Sequence, residues 1–153
     1  MIAYLKGRLV YKAPSFAIID VNGVGYHVNI SLNTFGEIKD KENIQLSTHL
    51  QVREDAHVLF GFASESEKQM FGHLISVNGV GPSTALVVLS YLSPEELRHA
   101  IVREDTAALQ AVKGIGGKTA QRLILELRDK LKKEGDESVA KIGRAHVWTP
   151  VTL

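Results

Sequence analysis

Two stretches of the chain repeat each other: LISVNGVGPSTA at residues 74–85 and LQAVKGIGGKTA at residues 109–120. The matching residues are separated by a constant offset of 35, so that Gly79-Val80-Gly81 corresponds to Gly114-Ile115-Gly116. Apolar residues flank each turn with the spacing of a buried helix face. The repeat therefore predicts a helix, a Gly-apolar-Gly turn and a second helix, twice in succession.

This turn has a physical use as an anion site. Glycines allow positive φ and a close approach of another backbone, while Val80 and Ile115 are expected to point into the core. The helix that follows each turn then presents unpaired N–H groups and its positive dipole end, which favour a phosphate. The alternative is a pair of tight helical hairpins that only pack the domain. We predict DNA-backbone contacts at Asn78, Gly79, Val80, Gly81, Ser83, Thr84, Lys113, Gly114, Ile115, Gly116, Gly117, Lys118, Thr119 and Arg122.

Outward from the repeat, residues 64–134 are predicted to form about five helices. Ser64 and Glu67 have the spacing of a capping box, and Ser93-Pro94-Glu95-Glu96 is a second helix start. Asp105 is expected to cap a short helix, and the last helix should run from about Lys118 to Lys133. Such a segment is typical of an all-α domain with two helix-hairpin-helix motifs.

The residues before Ser64 have the alternation of β structure. Asn22-Gly23 is a tight-turn signal between two strands. The predicted order is three strands, a short helical turn and two strands, which suits a five-stranded barrel of the OB type. The predicted strands are Ile2–Tyr11, Phe16–Val21, Gly25–Ile30, Ile44–Val52 and Ala56–Phe62, with the helical turn at Ser31–Ile38.

The predicted fold is thus α+β with two domains, an OB-fold barrel at 1–63 and a tandem helix-hairpin-helix domain at 64–134. Residues 135–141 are polar and predicted to be a linker. The tail at 142–153 resembles the in-frame translation of a sequencing-adapter oligonucleotide, so we expect it to be non-native and give its Trp148 no functional weight.

Composition excludes several classes of protein. The chain has 153 residues, of which 44% are hydrophobic and 23% charged, and it has no cysteine. Disulfides and thiolate metal sites are therefore excluded, and we expect a cytoplasmic protein with no membrane partner. Net charge is only +1, but residues 113–133 contain seven basic and two acidic residues, a local excess of +5. That run is either part of a DNA-binding face or a solvated helix face.

Taken in order along the chain, several stretches resemble the RuvA family of Holliday junction branch migration subunits. They are MIAYLKGRL at 1–9, VNGVGY at 21–26, REDAHVLFGF at 53–62, NGVGPSTAL at 78–86 and KGIGGKTAQRLILELRDKL at 113–131. The resemblance covers residues 1 to about 134 without interruption.

The resemblance implies a homotetramer that holds a four-way DNA junction open, with paired hairpins on the duplex arms. It identifies Glu54 and Asp55 as the family's acidic pin, near the crossover. It also implies two protein partners, the hexameric ATPase RuvB and the junction resolvase RuvC. The family's C-terminal helical domain, which contacts RuvB, is not found in this sequence, so weak coupling to the motor is expected.

The chain departs from the family pattern beside both turns. Many members have a lysine at the position of Ser83 and another basic residue at that of Gly117. We therefore expect a weaker first hairpin, or compensation from Arg122 and Lys118.

Catalysis is not expected from this chain. There is no P-loop, so ATP hydrolysis should belong to the partner, and the six histidines have no metal-ligand spacing. No cofactor is predicted. Two alternatives remain: a helix-hairpin-helix repair enzyme such as a glycosylase, and a module that binds nucleic acid without regard to shape. The latter should expose several aromatics on the barrel, whereas Tyr4, Tyr11, Phe16, Tyr26, Phe60 and Phe62 are mostly expected in the barrel core.

Overall fold

The structure is a computed structural model that describes the backbone of residues 1–148 and the side chains of residues 1–134. The elements alternate as the sequence predicts, five strands with one inserted helix and then a run of helices. They are β1 Tyr4–Lys12, β2 Phe16–Val21, β3 Val24–Asn29, α1 Leu32–Ile38, β4 Asn43–Val52, β5 His57–Phe62, α2 Glu65–Ser76, α3 Pro82–Tyr91, α4 Pro94–Val102, α5 Thr106–Gln110 and α6 Gly117–Trp148.

The five strands close into a barrel in the order β1-β2-β3-β5-β4. β3 and β5 are parallel and close the barrel through Val28 opposite Leu59, while every other pair is antiparallel. Asn22 and Gly23 have φ of 52° and 92°, the paired left-handed conformation of a two-residue hairpin turn. The OB-type barrel predicted from the strand pattern is confirmed.

Three of the predicted helix starts are formed by side-chain caps. The Ser93 hydroxyl accepts from the Glu96 N–H while the Glu96 carboxylate accepts from the Ser93 N–H, which is a complete capping box. Asp105 accepts from the Ala108 N–H at 3.1 Å. Ser64 accepts from the Glu67 N–H, but the Glu67 side chain does not return to Ser64, so that capping box is only half formed.

The barrel and the helices share part of one core. Phe60 and Phe62 of β5 pack with Phe71 of α2, with ring centroids 5.2 and 4.9 Å apart. The prediction that these two phenylalanines fill the barrel is therefore wrong. β5 leads directly into α2, and its two phenylalanines pack against the helical half. The barrel interior is instead filled by smaller aliphatic residues.

α6 extends past Lys133, where the sequence predicts its end, and continues through the predicted linker at 135–141 to Trp148. Polar composition is typical of a linker, but it is equally compatible with a solvated helix. Residues 135–141 contain no proline, and their one glycine, Gly135, costs a helix only about 1 kcal/mol. Residues 149–153 of the predicted tail lie outside the described residues. The domain boundaries and the non-native origin of the tail stay predictions.

Candidate nucleic-acid interface

The two repeats have the same backbone geometry. Gly79 and Gly114 have φ of 94° and 92°. In each turn the N–H of the apolar residue donates to the carbonyl three residues earlier. Val80 donates to Val77 and Ile115 to Val112, both at 3.1 Å. The sequence offset of 35 therefore corresponds to a structural repeat.

Val80 and Ile115 fix the turns to the core, as predicted. They are 5% and 6% exposed, and the valines before the turns, Val77 and Val112, are buried more deeply still. Because the Val80 and Ile115 side chains point inward and their N–H groups are used within the turn, these two residues hold the turns in place. Their flanking glycines, in contrast, are exposed.

The two glycines of each pair differ in conformation. Only the first one adopts positive φ; Gly81 has φ of −89° and is the N-cap of α3. Gly81 therefore ends its turn in extended backbone, which any residue can adopt, and Gly116 likewise does not have positive φ. A Cβ at Gly81 or at Gly116 would meet nothing within 4 Å, so these glycines leave an open surface in front of the helix that follows.

The open surface is lined by helix N-termini. In α3 the first N–H group that bonds back into the turn is that of Ala85, which donates to the Gly81 carbonyl. In α6 it is that of Ala120, which donates to the Gly116 carbonyl. The preceding N–H groups have no backbone acceptor among the described residues: those of Ser83 and Thr84 at the first turn, and of Gly117, Lys118 and Thr119 at the second. Pro82, which has no N–H, stands where Gly117 stands in the other repeat, so the second hairpin offers one more donor.

The charged side chains are also unequally distributed. Lys113 and Lys118 are exposed beside the second turn, whereas residues 77–84 contain no lysine or arginine. Arg122, predicted at the second hairpin, reaches the first one: its Nη1 donates to the Asn78 carbonyl at 2.9 Å. The predicted binding residues therefore come together at one end of the helical domain.

The basic run at 113–133 does not form one face. Arg128 pairs with Glu104, and its Nε lies 3.9 Å from the Asp129 carboxylate. Lys130 is twelve residues beyond Lys118, so it lies about 18 Å further along α6. Of the basic residues in this run, only Lys113, Lys118 and Arg122 lie beside the two Gly-apolar-Gly turns. The net charge of +5 counted along the sequence is therefore larger than the charge beside the turns.

Glu54 and Asp55 lie at the tip of a projecting hairpin. The β4–β5 pairing ends with Gln51 opposite Val58 and Val52 opposite His57. These residues lie beyond those through which β4 pairs with β1 and β5 pairs with β3, so the hairpin projects from the barrel. The turn is closed by the Arg53 N–H, which donates to the Ala56 carbonyl at 2.8 Å. Both carboxylates are exposed. The tip therefore presents two acidic groups to solvent.

Glu67, a residue that the sequence assigned only to a helix cap, joins the barrel to the helices. Its carboxylate accepts hydrogen bonds from the hydroxyls of Ser31, at 2.6 Å, and Thr34, both at the start of α1. Burial raises the pKa of the Glu67 carboxyl above its ordinary value of 4.5, and the two hydroxyl bonds oppose that rise. The Ser64-x-x-Glu67 spacing gave no signal of this contact, because it depends on packing between distant elements.

The barrel exposes more aromatic surface than predicted. Tyr4 and Tyr11 are 58% and 52% exposed. Tyr11, Phe16 and His27 form a stack, with centroid separations of 5.4 and 4.5 Å. The strand alternation places these side chains on the outer face, while Ala17, Ile19 and Val28 fill the interior.

Among the described residues, no group of three or more histidines and carboxylates has the geometry of a metal site. His73 instead contacts the Glu134 carboxylate at 2.7 Å. No described helix combines the length and the apolar character that a membrane span requires.

The chain is a protein with an OB-type barrel followed by two equivalent helix-hairpin-helix units. Comparison with known families agrees with this combination of domains. Residues 1–61 match the family model described as RuvA N terminal domain. Residues 71–129 match the model described as SAM-like helix-hairpin-helix tandem.

Three similar proteins are each named Holliday junction branch migration complex subunit RuvA. The protein of Cytophaga hutchinsonii is 58% identical over 134 residues, which are 88% of this chain and 67% of the relative. That of Christiangramia forsetii is 56% identical, over 91% of this chain and 72% of the relative. That of Chromobacterium violaceum is 49% identical, over 91% and 71%. The chain belongs to the RuvA family.

Proposed function

We propose that this chain binds four-way DNA junctions as the DNA-binding subunit of a branch migration complex, in recombination and DNA repair. The observation that supports this most strongly is the pair of equivalent turns with open helix N-termini on one small domain. Two such anion sites can hold the two strands of one duplex arm across a groove. Since they contact sugar and phosphate, binding should be independent of sequence.

The acidic tip supplies the preference for a junction in this proposal. Glu54 and Asp55 repel phosphates, and the protein beneath them has a lower dielectric constant than water, which strengthens the repulsion. At a crossover the strands diverge and leave space for the tip, whereas a continuous duplex does not. The shared core of Phe60, Phe62 and Phe71 supports this division of roles, because it fixes the hairpins relative to the barrel.

The assembly that we propose is a homotetramer with the tips of all subunits around the crossover. The relatives' names place them in a complex. We propose the hexameric ATPase RuvB as the motor of this complex, RuvC as a further partner, and the cytoplasm as the compartment. In this arrangement the chain itself positions DNA, and ATP hydrolysis takes place on the partner.

Hydroxyl-radical footprinting of a four-way junction tests the proposal. Protection should be symmetric on all arms close to the crossover, and the same for two junctions of unrelated sequence. Protection at duplex ends alone, or a pattern that changes with sequence, would contradict it. Release of a free base from damaged duplex would instead support a glycosylase.

A further inference from the structure

Three aromatic rings form a column on the outer face of the barrel. Tyr11 of β1, Phe16 of β2 and His27 of β3 lie on adjacent strands, with centroid separations of 5.4 and 4.5 Å and interplanar angles of 23° and 14°. The strand register explains this column, because Tyr11 and His27 both stand opposite Ile18, two residues from Phe16 on the same face of the sheet. The barrel core does not need these rings, since other side chains fill the interior.

The Tyr11 end of the column is open. Phe16 covers one face of the Tyr11 ring, yet Tyr11 remains 52% exposed, so the opposite face can stack with a further ring. β1 pairs with β4 only as far as Arg8, and therefore no described strand covers Tyr11 on that side. An exposed aromatic face on an OB-type barrel is the kind of surface on which single-strand binding proteins stack bases.

Two cations lie beside this open ring. They are part of a groove of about 260 Å³ that is lined by Leu9, Val10, Tyr11, Lys12 and Lys41. Sites for drug-sized ligands have roughly 300–1,000 Å³, so this groove suits one planar group rather than a larger molecule. The Lys12 ammonium donates to the Lys39 carbonyl and keeps two further N–H donors.

We propose that this groove binds an unpaired nucleotide of single-stranded DNA, with the base stacked on Tyr11 and a neighbouring phosphate bound by Lys12 and Lys41. An aromatic face beside two ammonium groups matches a nucleotide in shape and in charge. Asp40 and Glu42 flank Lys41 in the sequence, but neither lines the groove, so the lysines set the charge that a ligand meets. Stacking and phosphate contacts accept any base, and the site is separate from the hairpin surface.

Single-strand binding by the full chain tests the proposal. Tyr11→Ala should weaken the binding of an oligo(dT) of about twelve nucleotides by about tenfold, the effect of losing one stacked base. Its affinity for a four-way junction should be unchanged, because Tyr11 belongs to neither hairpin.

Tyr4→Ala is the matched control for the loss of an exposed ring. Tyr4 is 58% exposed on the same strand, about 23 Å from Tyr11 along β1, and it does not line the groove. It should therefore keep the wild-type affinity for oligo(dT). Equal losses in both variants, or no loss in Tyr11→Ala, would overturn the proposal.

Fluorescence tests whether a base contacts this ring. Tyr11→Trp keeps a stacking face, so its emission should be quenched when oligo(dT) is added, whereas that of Tyr4→Trp should not. The chain's own Trp148 is common to both variants and cannot cause a difference between them. Equal quenching in the two variants, or none in Tyr11→Trp, would contradict stacking at the column.

Lys41→Gln tests the phosphate contact. It should lower the affinity for oligo(dT) and make the slope of log affinity against log salt shallower by about 0.7, the value for one single-strand phosphate. Lys132→Gln, which removes an exposed lysine of α6, should change neither. An unchanged slope in Lys41→Gln would overturn the role of this lysine, and tenfold tighter binding of oligo(U) of the same length would overturn the assignment to DNA.

Discussion

At the residue scale, the glycines of each turn have separate tasks. The φ of 92° at Gly114 favours glycine, whereas Gly116 does not have positive φ and has empty space where a Cβ would stand. The sequence pattern treats the two as equivalent, because a Gly-x-Gly spacing does not show which glycine has positive φ. In the proposed site, the space in front of Gly116 is filled by DNA.

This difference gives a variant that separates binding from folding. Gly116→Ala should lower the free energy of unfolding by less than about 1 kcal/mol, the cost of an unfavourable N-cap residue. It should nevertheless weaken junction binding clearly, because its methyl group stands where the phosphate approaches. Urea unfolding and fluorescence anisotropy measure the two effects. Unchanged affinity would show that the backbone of DNA does not approach this turn.

Glu67 predicts a pH dependence of stability. Since its pKa is raised in the folded state, folding favours the protonated carboxyl. The associated stability is complete below the unfolded pKa, near 4.5, and is lost as pH rises through the higher folded pKa. Glu67→Gln, which cannot ionise, should therefore gain stability relative to wild type as pH rises.

Thermal unfolding between about pH 4 and about pH 8 measures this difference. Glu126→Gln, which changes an exposed carboxylate of α6, is the matched control and should follow the wild type. Parallel stability curves for wild type and Glu67→Gln across the range would contradict a buried, ionisable link between the barrel and α2.

At the scale of elements, the strand and helix order follows from the sequence, and the partners of side chains do not. Local signals such as Asn22-Gly23 and Ser93-Pro94-Glu95-Glu96 gave the turn and helix start that the structure shows. The contacts of Glu67 with α1 and of Arg122 with Asn78 join residues 33 to 44 positions apart. Periodicity contains no information about such pairs.

Barrel closure predicts a sharp difference between two glycines. A Cβ on Gly61 would lie 2.5 Å from Cγ1 of Val28 and 3.0 Å from Cδ1 of Leu46, both fully buried. Gly61→Ala should therefore destabilise the fold by about 1–3 kcal/mol through overpacking. Gly36→Ala in α1, where a Cβ would meet nothing, should instead stabilise it by about 0.5–1 kcal/mol. Chemical denaturation measures both; equal effects would contradict the close β3–β5 packing.

The projecting β4–β5 hairpin predicts a change of DNA preference. Glu54→Gln with Asp55→Asn should raise the affinity for linear duplex and leave junction affinity less changed, because repulsion at the tip is removed. Asp40→Asn with Glu42→Gln, two exposed acids between α1 and β4, gives the same change in net charge and is the control. If both double variants raised duplex affinity equally, net charge and not the position of the tip would explain the effect.

At the scale of the whole molecule, the proposed discrimination between junction and duplex depends on the rigid arrangement of tip and hairpins. The sequence predicts both features but not their connection, because the strand pattern favours Phe60 and Phe62 as barrel core residues. In the structure they pack against Phe71 and join the two halves. In the proposed function, a DNA substrate has to fit both the hairpins and the acidic tip, whose relative positions this shared core fixes.

The ratio of dissociation constants for a four-way junction and for linear duplex of equal length tests this account most directly. Both should be measured on the wild-type chain at the same ionic strength, since phosphate contacts are strongly salt-dependent. We predict a junction affinity at least about tenfold higher, a difference of about 1.4 kcal/mol or more. Equal dissociation constants would contradict the account, because two hairpins without discrimination by the tip would bind any duplex.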